Sequence, residues 1–349
     1  MTHAAKTHAV FQSRTRRRIS VFSLLGVLVI VAALLSIVLG QYYVPLNHLG
    51  AILLGRDHHA DLASSVVWDI RLPRILLGLL VGACLGVAGT LMQAVFANPL
   101  AEPSIIGVTA GAGVGAALAI VFNIAFLGTF TTPFFAFLSA LIATGLIYQL
   151  ARNNGRVVVI NLVLTGIAVN AVCGAIISFM VYLAPTTSRE EIIFWQMGSL
   201  NGAQWKHVWV VLPIAVIAVA VALRLGGALD VLALGDKAAG HTGINVGQLR
   251  VIAIVVSAVL TAGAVAFAGL IGFVGLIIPH LLRTVMGPEN HLLIPASALG
   301  GAVLIGLSDV AARTMIEFAD LPIGIFTALV GGPTFFVMLR RMMRKGMHS

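Results

Sequence analysis

Long apolar stretches recur almost from one end of this 349-residue chain to the other, and they restrict what it can fold into. A helix that crosses a bilayer needs about 20 mostly apolar residues. Because the apolar pattern continues after the first stretch, a cleaved secretory signal cannot account for it. The pattern therefore predicts an all-α polytopic membrane protein with about ten transmembrane helices. The predicted spans are 19–40, 72–92, 104–124, 130–151, 158–183, 205–224, 249–268, 271–285, 292–312 and 323–339.

The spans suggest one transmembrane domain with short ends. We predict a cytoplasmic tail at 1–18, a permease-like domain at 19–342 and a second cytoplasmic tail at 343–349. The eighth span is short and is interrupted by Pro279, His280 and Arg283. Cys84 and Cys173 fall within spans, and their spacing indicates neither a disulfide framework nor a metal site.

Small residues are concentrated at 71–115, where two glycine- and alanine-rich spans flank the polar loop NPLAEPS. Small residues let helix backbones approach closely in lipid, so this stretch predicts tight helix packing. A similar order of a small-residue span, a proline-containing turn and a second such span occurs at 75–118 and at 257–306. This weak echo fits a structural repeat of the kind found in transporters, and it also fits composition alone.

The formal net charge of +9 would suit nucleic acid, but its distribution indicates a different role. If the N-terminus is cytoplasmic, ten spans place both termini inside. The inner segments then carry 15 of the 21 lysines and arginines, and the outer ones carry the remaining 6. This is the positive-inside bias of membrane proteins, so nucleic acid is not predicted as a partner. The outer basic residues are Arg56, Arg71, Arg74, Arg189, Lys206 and Arg313.

The longest predicted cytoplasmic loop, 225–248, is too apolar for a flexible linker. Its apolar residues could line one face of a short helix, which needs a partner groove or the lipid interface. With Lys237 as its only lysine or arginine, attraction to anionic lipid is weak, so a protein partner is favoured. A re-entrant or loosely packed loop is the alternative.

Motifs spread over nearly the whole chain resemble the FecCD-type permeases, which are membrane subunits of Type II ABC importers for iron chelates, haem and cobalamin. The matching segments follow the order and spacing of that family. They are 71–74 (RLPR), Gln93 with 98–103 (NPLAEP), 107–115, 194–200, 232–247, 272–283, Asp309 with Arg313, 321–324 (LPIG) and 332–333.

The resemblance implies a Type II ABC importer permease that acts with partners. These are a second permease subunit, expected to be an identical copy, two ATPase subunits and an extracytoplasmic substrate-binding protein. The chain has no G-x-x-x-x-G-K-[ST] motif, so it is not expected to hydrolyse ATP or to be an enzyme. We expect this chain to bind no cofactor or metal and to have no catalytic residues, while ATP and Mg²⁺ belong to the partner ATPase.

The resemblance also assigns three sets of site residues. Arg71, Arg74 and Arg313 would dock the binding protein, because guanidinium groups suit carboxylates. Pairing within the chain, for example with Asp69, Glu317 or Asp320, is the alternative. The ATPase-coupling set is Leu232, Leu234, Gly235, Ala238, Ala239 and Gly243, with Thr242 where the family usually has leucine. The cytoplasmic gate set is Asn98, Leu100, Val158, Val159 and Asn161.

The expected function is inward transport of a ferric siderophore or haem across the bacterial cytoplasmic membrane, with cobalamin as the alternative substrate. An ion-coupled secondary carrier is a rival, and it would need a charged site near mid-membrane. Asp309 is more simply explained by an i,i+4 pair with Arg313. His58, His59 and His280 could contact a metal chelate, although solvated or satisfied histidines are favoured.

Overall fold

The computed structural model describes residues 3–44, 46–53, 61–153, 156–316 and 319–346, and these are almost entirely helical. Two strands of two residues, β1 (Arg152–Asn153) and β2 (Arg156–Val157), form a small antiparallel pair. The first seven α-helices are α1 (His3–Val38), α2 (Leu46–Leu53), α3 (Asp61–Ser65), α4 (Leu72–Val95), α5 (Val108–Val121), α6 (Thr131–Ala151) and α7 (Val159–Leu183). The others are α8 (Thr186–Met197), α9 (Trp205–Leu232), α10 (Asp236–His241), α11 (Val246–Ala268), α12 (Val274–Met286), α13 (Asn290–Thr314) and α14 (Ile323–Gly346).

Eight helices in the described part of the chain are long and apolar enough to cross a membrane, which confirms the all-α polytopic prediction. Of the two other predicted spans, 104–124 is wrong in length, whereas 271–285 is short, as its sequence indicated. They correspond to α5 and α12, which have 14 and 13 residues. At about 1.5 Å per residue, each reaches only about two thirds of the ~30 Å hydrocarbon thickness. The stretches that precede them, 96–107 with a short 3-10 helix at Pro103–Ile106 and 269–273, are not α-helical.

Two helices extend beyond their predicted bounds. Helix α1 begins by His3, so the segment predicted as an N-terminal tail is largely helical. Its arginines and alanines are good helix formers, although they are unsuited to lipid. Helix α9 continues to Leu232, eight residues past the predicted end at 224, and therefore includes the first part of the predicted loop 225–248.

Helices α4, α11 and α13 form the interior of the bundle, and α12 packs against α4 and α13. Helices α1, α6, α7, α9 and α14 surround this centre, and most of their residues are only half-buried or are exposed. In a chain with so many apolar spans, such exposed faces are covered by lipid or by another subunit.

Glycines bring the central helices into backbone contact. A Cβ atom added at Gly82 of α4 would lie 2.2 Å from the Gly301 carbonyl oxygen of α13. The contact is reciprocal, since a Cβ at Gly301 would lie 2.0 Å from the Gly82 oxygen. One turn further on, Gly86 meets the Ser297 carbonyl oxygen in the same way, at 2.1 Å. The small residues therefore serve helix packing, as predicted.

Hydrogen bonds tie the breaks and the helix turns next to them to neighbouring elements, since an unpaired backbone group at membrane depth would cost several kcal/mol. The Ser199 amide donates to the Ala268 carbonyl at 2.8 Å. The Gln93 side-chain amide donates to the Leu276 carbonyl at 3.1 Å, and that of Asn170 donates to the Ser104 carbonyl at 3.1 Å. Both halves of the predicted echo thus contain a long helix, a tethered break and a short helix.

The Gly82 contact predicts that Gly82→Ala destabilises the protein. The added methyl group must separate α4 from α13, and overpacking of this kind typically costs about 1–3 kcal/mol. Gly145→Ala in α6 is the matched control, because nothing lies within 4 Å of a Cβ at that position. The measurement is thermal unfolding of each purified variant in detergent. Equal unfolding temperatures for the two variants would contradict the packing argument.

Candidate functional site

The RLPR motif lies where α4 begins, next to the end of α13, and we call this end of the bundle the arginine end. Helix α4 continues from a π-helical turn at Val66–Arg71, and Pro73, which has no N–H to donate, lies at its second position. Arg74 Nε donates to Asp309 Oδ1 of α13 at 2.9 Å, and its Nη1 donates to Asp320 Oδ2 at 2.8 Å. Arg74 therefore joins α4 to α13 and to the connection that leads into α14.

The other two arginines hold the end of α1. Arg71 donates to the backbone carbonyl oxygens of Ile37, Val38 and Tyr42. Arg313 donates to the backbone oxygen of Ser36 at 2.6 Å, and its Nε lies 3.4 Å from Asp309 Oδ2. The last carbonyls of a helix lack partners within the helix, so these guanidinium groups satisfy acceptors that would otherwise be buried without donors.

All three predicted docking residues are thus engaged within the chain. Arg71 is 4% exposed, Arg74 is 8% exposed and Arg313 is 6% exposed. The geometry favours the alternative of intramolecular pairing, with Asp309 and Asp320 as partners. Docking of a binding protein by these arginines stays a prediction, and the buried positions favour an indirect effect on the surface around them. Glu317, His58 and His59 lie outside the described residues.

The predicted coupling set lies at the opposite end of the bundle, which we call the loop end. The apolar residues of this loop do not line one face of a single short helix, as the sequence had suggested, because α9 stops at Leu232 and α10 begins at Asp236. Gly235, between the two helices, and Gly243, after α10, have φ values of +108° and +84°, which favour glycine.

Within the coupling set, burial separates anchors from exposed positions. Leu232 and Ala239 are buried in the main core. Leu234 is 76% exposed, and Gly235 and Gly243 are also exposed, whereas Ala238 is half-buried. Leu234 therefore presents a large apolar side chain at the tip of the turn, where a partner could cover it.

Part of the predicted gate lies beside this turn. Val158 precedes α7 and Val159 begins it. Both line a cavity of about 1280 Å³ whose other wall includes Asp236 and Gly240 of α10. Asn98 and Leu100 belong instead to the turn after α4, where Asn98 Oδ1 accepts a hydrogen bond from the Leu100 amide at 2.9 Å. Of the gate set, the structure thus brings Val158 and Val159 close to α10, but not Asn98 and Leu100.

Helix α7, which carries Asn161, is an apolar helix with few buried residues. Its sequence from 159 to 183 contains no acidic or basic side chain. Exposed Ile160, Leu164 and Ile167 extend from the loop end toward the middle of the bundle. The described residues contain no group of three or more His, Cys, Asp or Glu side chains that could hold a metal ion.

Several proteins are similar to this chain in sequence, and a solved structure is similar to it in fold. A cobalamin import system permease protein of Halobacterium salinarum is 42% identical over 80% of this chain and 74% of its own. A hemin transport system permease protein of Yersinia pestis is 35% identical over 79% of this chain and 83% of its own. A solved structure, described as a metal-chelate type ABC transporter in an inward-facing conformation, matches with a TM-score of 0.81 and 33% identity. That match covers 92% of this chain and 98% of the solved chain.

The fold and these similarities define a multi-pass membrane permease of an ABC importer with the Type II permease fold, rather than an enzyme. As a permease of this class, it works with ATPase and substrate-binding partners. The chain belongs to the FecCD transport family, whose match extends over residues 28–341. The family resemblance seen in the sequence motifs is therefore confirmed.

The arginine end predicts that Arg74→Gln destabilises the isolated permease. Removing Arg74 leaves the buried Asp309 without its closest partner, and breaking a buried ion pair typically costs about 3–5 kcal/mol. The measurement is thermal unfolding without any binding protein, with Arg224→Gln at an exposed position of α9 as the control. An unfolding temperature equal to that of the unmodified protein would show that Arg74 is not a structural residue.

Proposed function

We propose that this chain is the permease subunit of an ATP-driven importer that moves a bulky metal chelate inward across the cytoplasmic membrane. The observation that carries the proposal is the exposed Leu234 turn at the loop end, which is anchored on both sides by buried Leu232 and Ala239. A large apolar side chain held at the tip of a fixed turn suits a groove on a partner protein. Because the chain lacks a phosphate-binding loop, that partner would be the ATPase.

Metal tetrapyrroles, namely cobalamin and haem, are the proposed substrates. The sequence alone favoured a ferric siderophore or haem and kept cobalamin as the alternative. One relative is named for cobalamin, at 42% identity, and another for hemin, at 35% identity. Cobalamin and haem are therefore proposed as equally favoured substrates. A helix α7 without acidic or basic side chains suits the passage of a large ligand that is not coordinated on the way.

The proposed assembly contains two copies of this chain, two ATPase subunits and one binding protein at the arginine end. The exposed face of α7 could contact a second copy of the chain or line the transport pathway between the two copies. Both termini would then be cytoplasmic, as the positive-inside count predicts. An ion-coupled carrier receives less support, because the buried carboxylate Asp309 is held by Arg74 rather than free to bind an ion.

Uptake into proteoliposomes tests the function and the coupling role together. The permease is reconstituted with its ATPase and binding protein, and uptake of radiolabelled cobalamin, haem and a ferric siderophore is compared with and without ATP. We expect ATP-dependent uptake of cobalamin or haem. Leu234→Asp places a charge in the proposed apolar contact, so it should abolish uptake and weaken co-purification of the ATPase.

Leu127→Asp is the matched control, since Leu127 is an exposed leucine in the connection between α5 and α6, at the arginine end. Ala239 is unsuitable for this test because an aspartate in its buried site would disturb folding. ATP-independent uptake would overturn the importer proposal. Undiminished ATPase binding and uptake in Leu234→Asp would overturn the docking role of the turn.

The gate proposal predicts a nucleotide-dependent cross-link between subunits. Leu100 and Val158 would close the pathway at the loop end by apolar packing and dewetting. Cysteines at these two positions, in a background without Cys84 and Cys173, should cross-link in one nucleotide state and not in another. The yield is measured by non-reducing gel electrophoresis. Cross-linking that ignores nucleotide, or that occurs in no state, would argue against this gate.

A further inference from the structure

Two carboxylates lie at the two sides of the coupling turn, and each reaches a helix of the bundle's interior. The first is Asp230, in the last turn of α9. Its Oδ1 accepts from the Asn290 amide, and its Oδ2 accepts from the His291 amide at 3.4 Å. These are the first two residues of α13. Asp230 thus satisfies amide groups that a helix start leaves without partners.

The contact between α9 and α13 is close on both sides of Asp230. Its Oδ2 also lies 2.5 Å from Nδ1 of the His291 ring. One turn earlier, a Cβ added at Gly226 would lie only 2.7 Å from the His291 Cα. The end of α9 is therefore pressed against the start of α13 and bonded to it.

The second carboxylate is Asp236, in the first turn of α10. Its two oxygens accept from both terminal nitrogens of Arg250, each at 2.8 Å. Arg250 lies one turn into α11, and its side chain is only 17% exposed. A two-bond fork of this kind fixes the relative angle of the two side chains as well as their separation. Helix α10 is thereby held to α11.

Helices α11 and α13 are the two interior helices that pack most closely on α4. The short turn 233–235, which presents Leu234, lies between Asp230 and Asp236 in sequence. A displacement of this turn is thus opposed on one side by α13 and on the other by α11.

We propose that Asp230 and Asp236 are positioning residues that join the coupling turn to α13 and α11, so that movement of the ATPase displaces the interior helices. The inference rests on the proposed function of the turn. Without these joints, the partner could still hold Leu234 and hydrolyse ATP, but the turn would move without the helices. Loss of either joint therefore reduces the number of substrate molecules moved per ATP.

The experiment measures that ratio in reconstituted complexes of Asp236→Asn, Arg250→Gln and the exchange variant Asp236→Arg with Arg250→Asp. An exposed ion pair contributes little to folding, so these variants should be purified intact. We expect the number of substrate molecules moved per ATP to fall by about fivefold in each single variant, the size expected for loss of one ion pair. Binding of the ATPase should be retained. The exchange variant should recover most of the loss.

Asp230 is tested by comparing alanine with asparagine. Asp230→Asn keeps a side-chain oxygen that can accept from the Asn290 amide, so it should retain most of the ratio. Asp230→Ala keeps no acceptor and should lose as much as the single variants of the Asp236 pair. Glu190→Gln in α8 is the matched control for a carboxylate-to-amide change, since Glu190 is exposed at the arginine end.

The outcomes separate this inference from the function on which it rests. If no ATP-dependent uptake occurs in the unmodified complex, the proposed function fails first. If uptake is normal and the ratio is unchanged in the Asp236, Arg250 and Asp230→Ala variants, the positioning role is wrong. A defect in Asp236→Asn without one in Arg250→Gln would also overturn it, because it would show direct contact between Asp236 and the ATPase. Equal defects that the exchange reverses support it.

Discussion

Backbone contact between α4 and α13 through Gly82 and Gly301 is the constraint on which the rest of the structure depends. Between lipid-exposed helices there is little hydrophobic driving force, so close packing must supply the association. At each of the two glycines the partner's carbonyl oxygen occupies the space that a Cβ atom would fill, so the helices lie closer than any side chain would permit. With α4 and α13 so close, Arg74 reaches Asp309, and α9, α11 and α12 pack against other sides of α4.

The two ends of the bundle use charge differently. At the arginine end, buried guanidinium groups satisfy the carbonyls of α1 and the carboxylate of Asp309, so charge there stabilises the fold. At the loop end, Asp236 and Arg250 pair near the surface, where such a pair adds little stability but orients what it joins. The same α13 connects the ends, since it begins at the residues that Asp230 binds and finishes at Arg313.

Hydropathy predicted the helices that are apolar along a full membrane thickness, overestimated the length of α5 and placed the start of α12 three residues too early. The break before α12 reads Gly-Leu-Ile-Gly-Phe, which is as apolar as a helix, and only its hydrogen bonds distinguish it. The charged motif of Arg71 and Arg74 could be placed at a membrane boundary. One carboxylate partner of Arg74, Asp320, was among the candidates for pairing within the chain, but its other partner Asp309, 235 residues away, was assigned only to Arg313. Likewise, the sequence does not indicate which apolar residues of 231–243 are exposed. Only the structure shows that Ala239 is buried and Leu234 is exposed.

The short lengths of α5 and α12 have a consequence for biogenesis. A helix of 13 or 14 residues is too short to be stable across a bilayer by itself, and the break before it exposes unpaired backbone until its neighbours arrive. Gln93, which bonds the Leu276 carbonyl, is synthesised long before α12 and can receive it, whereas Asn170, which bonds the Ser104 carbonyl, is synthesised only after α5. Helix α12 is thus synthesised after the residue that binds it, whereas α5 is synthesised before its partner on α7 and completes its contacts only when α7 has followed.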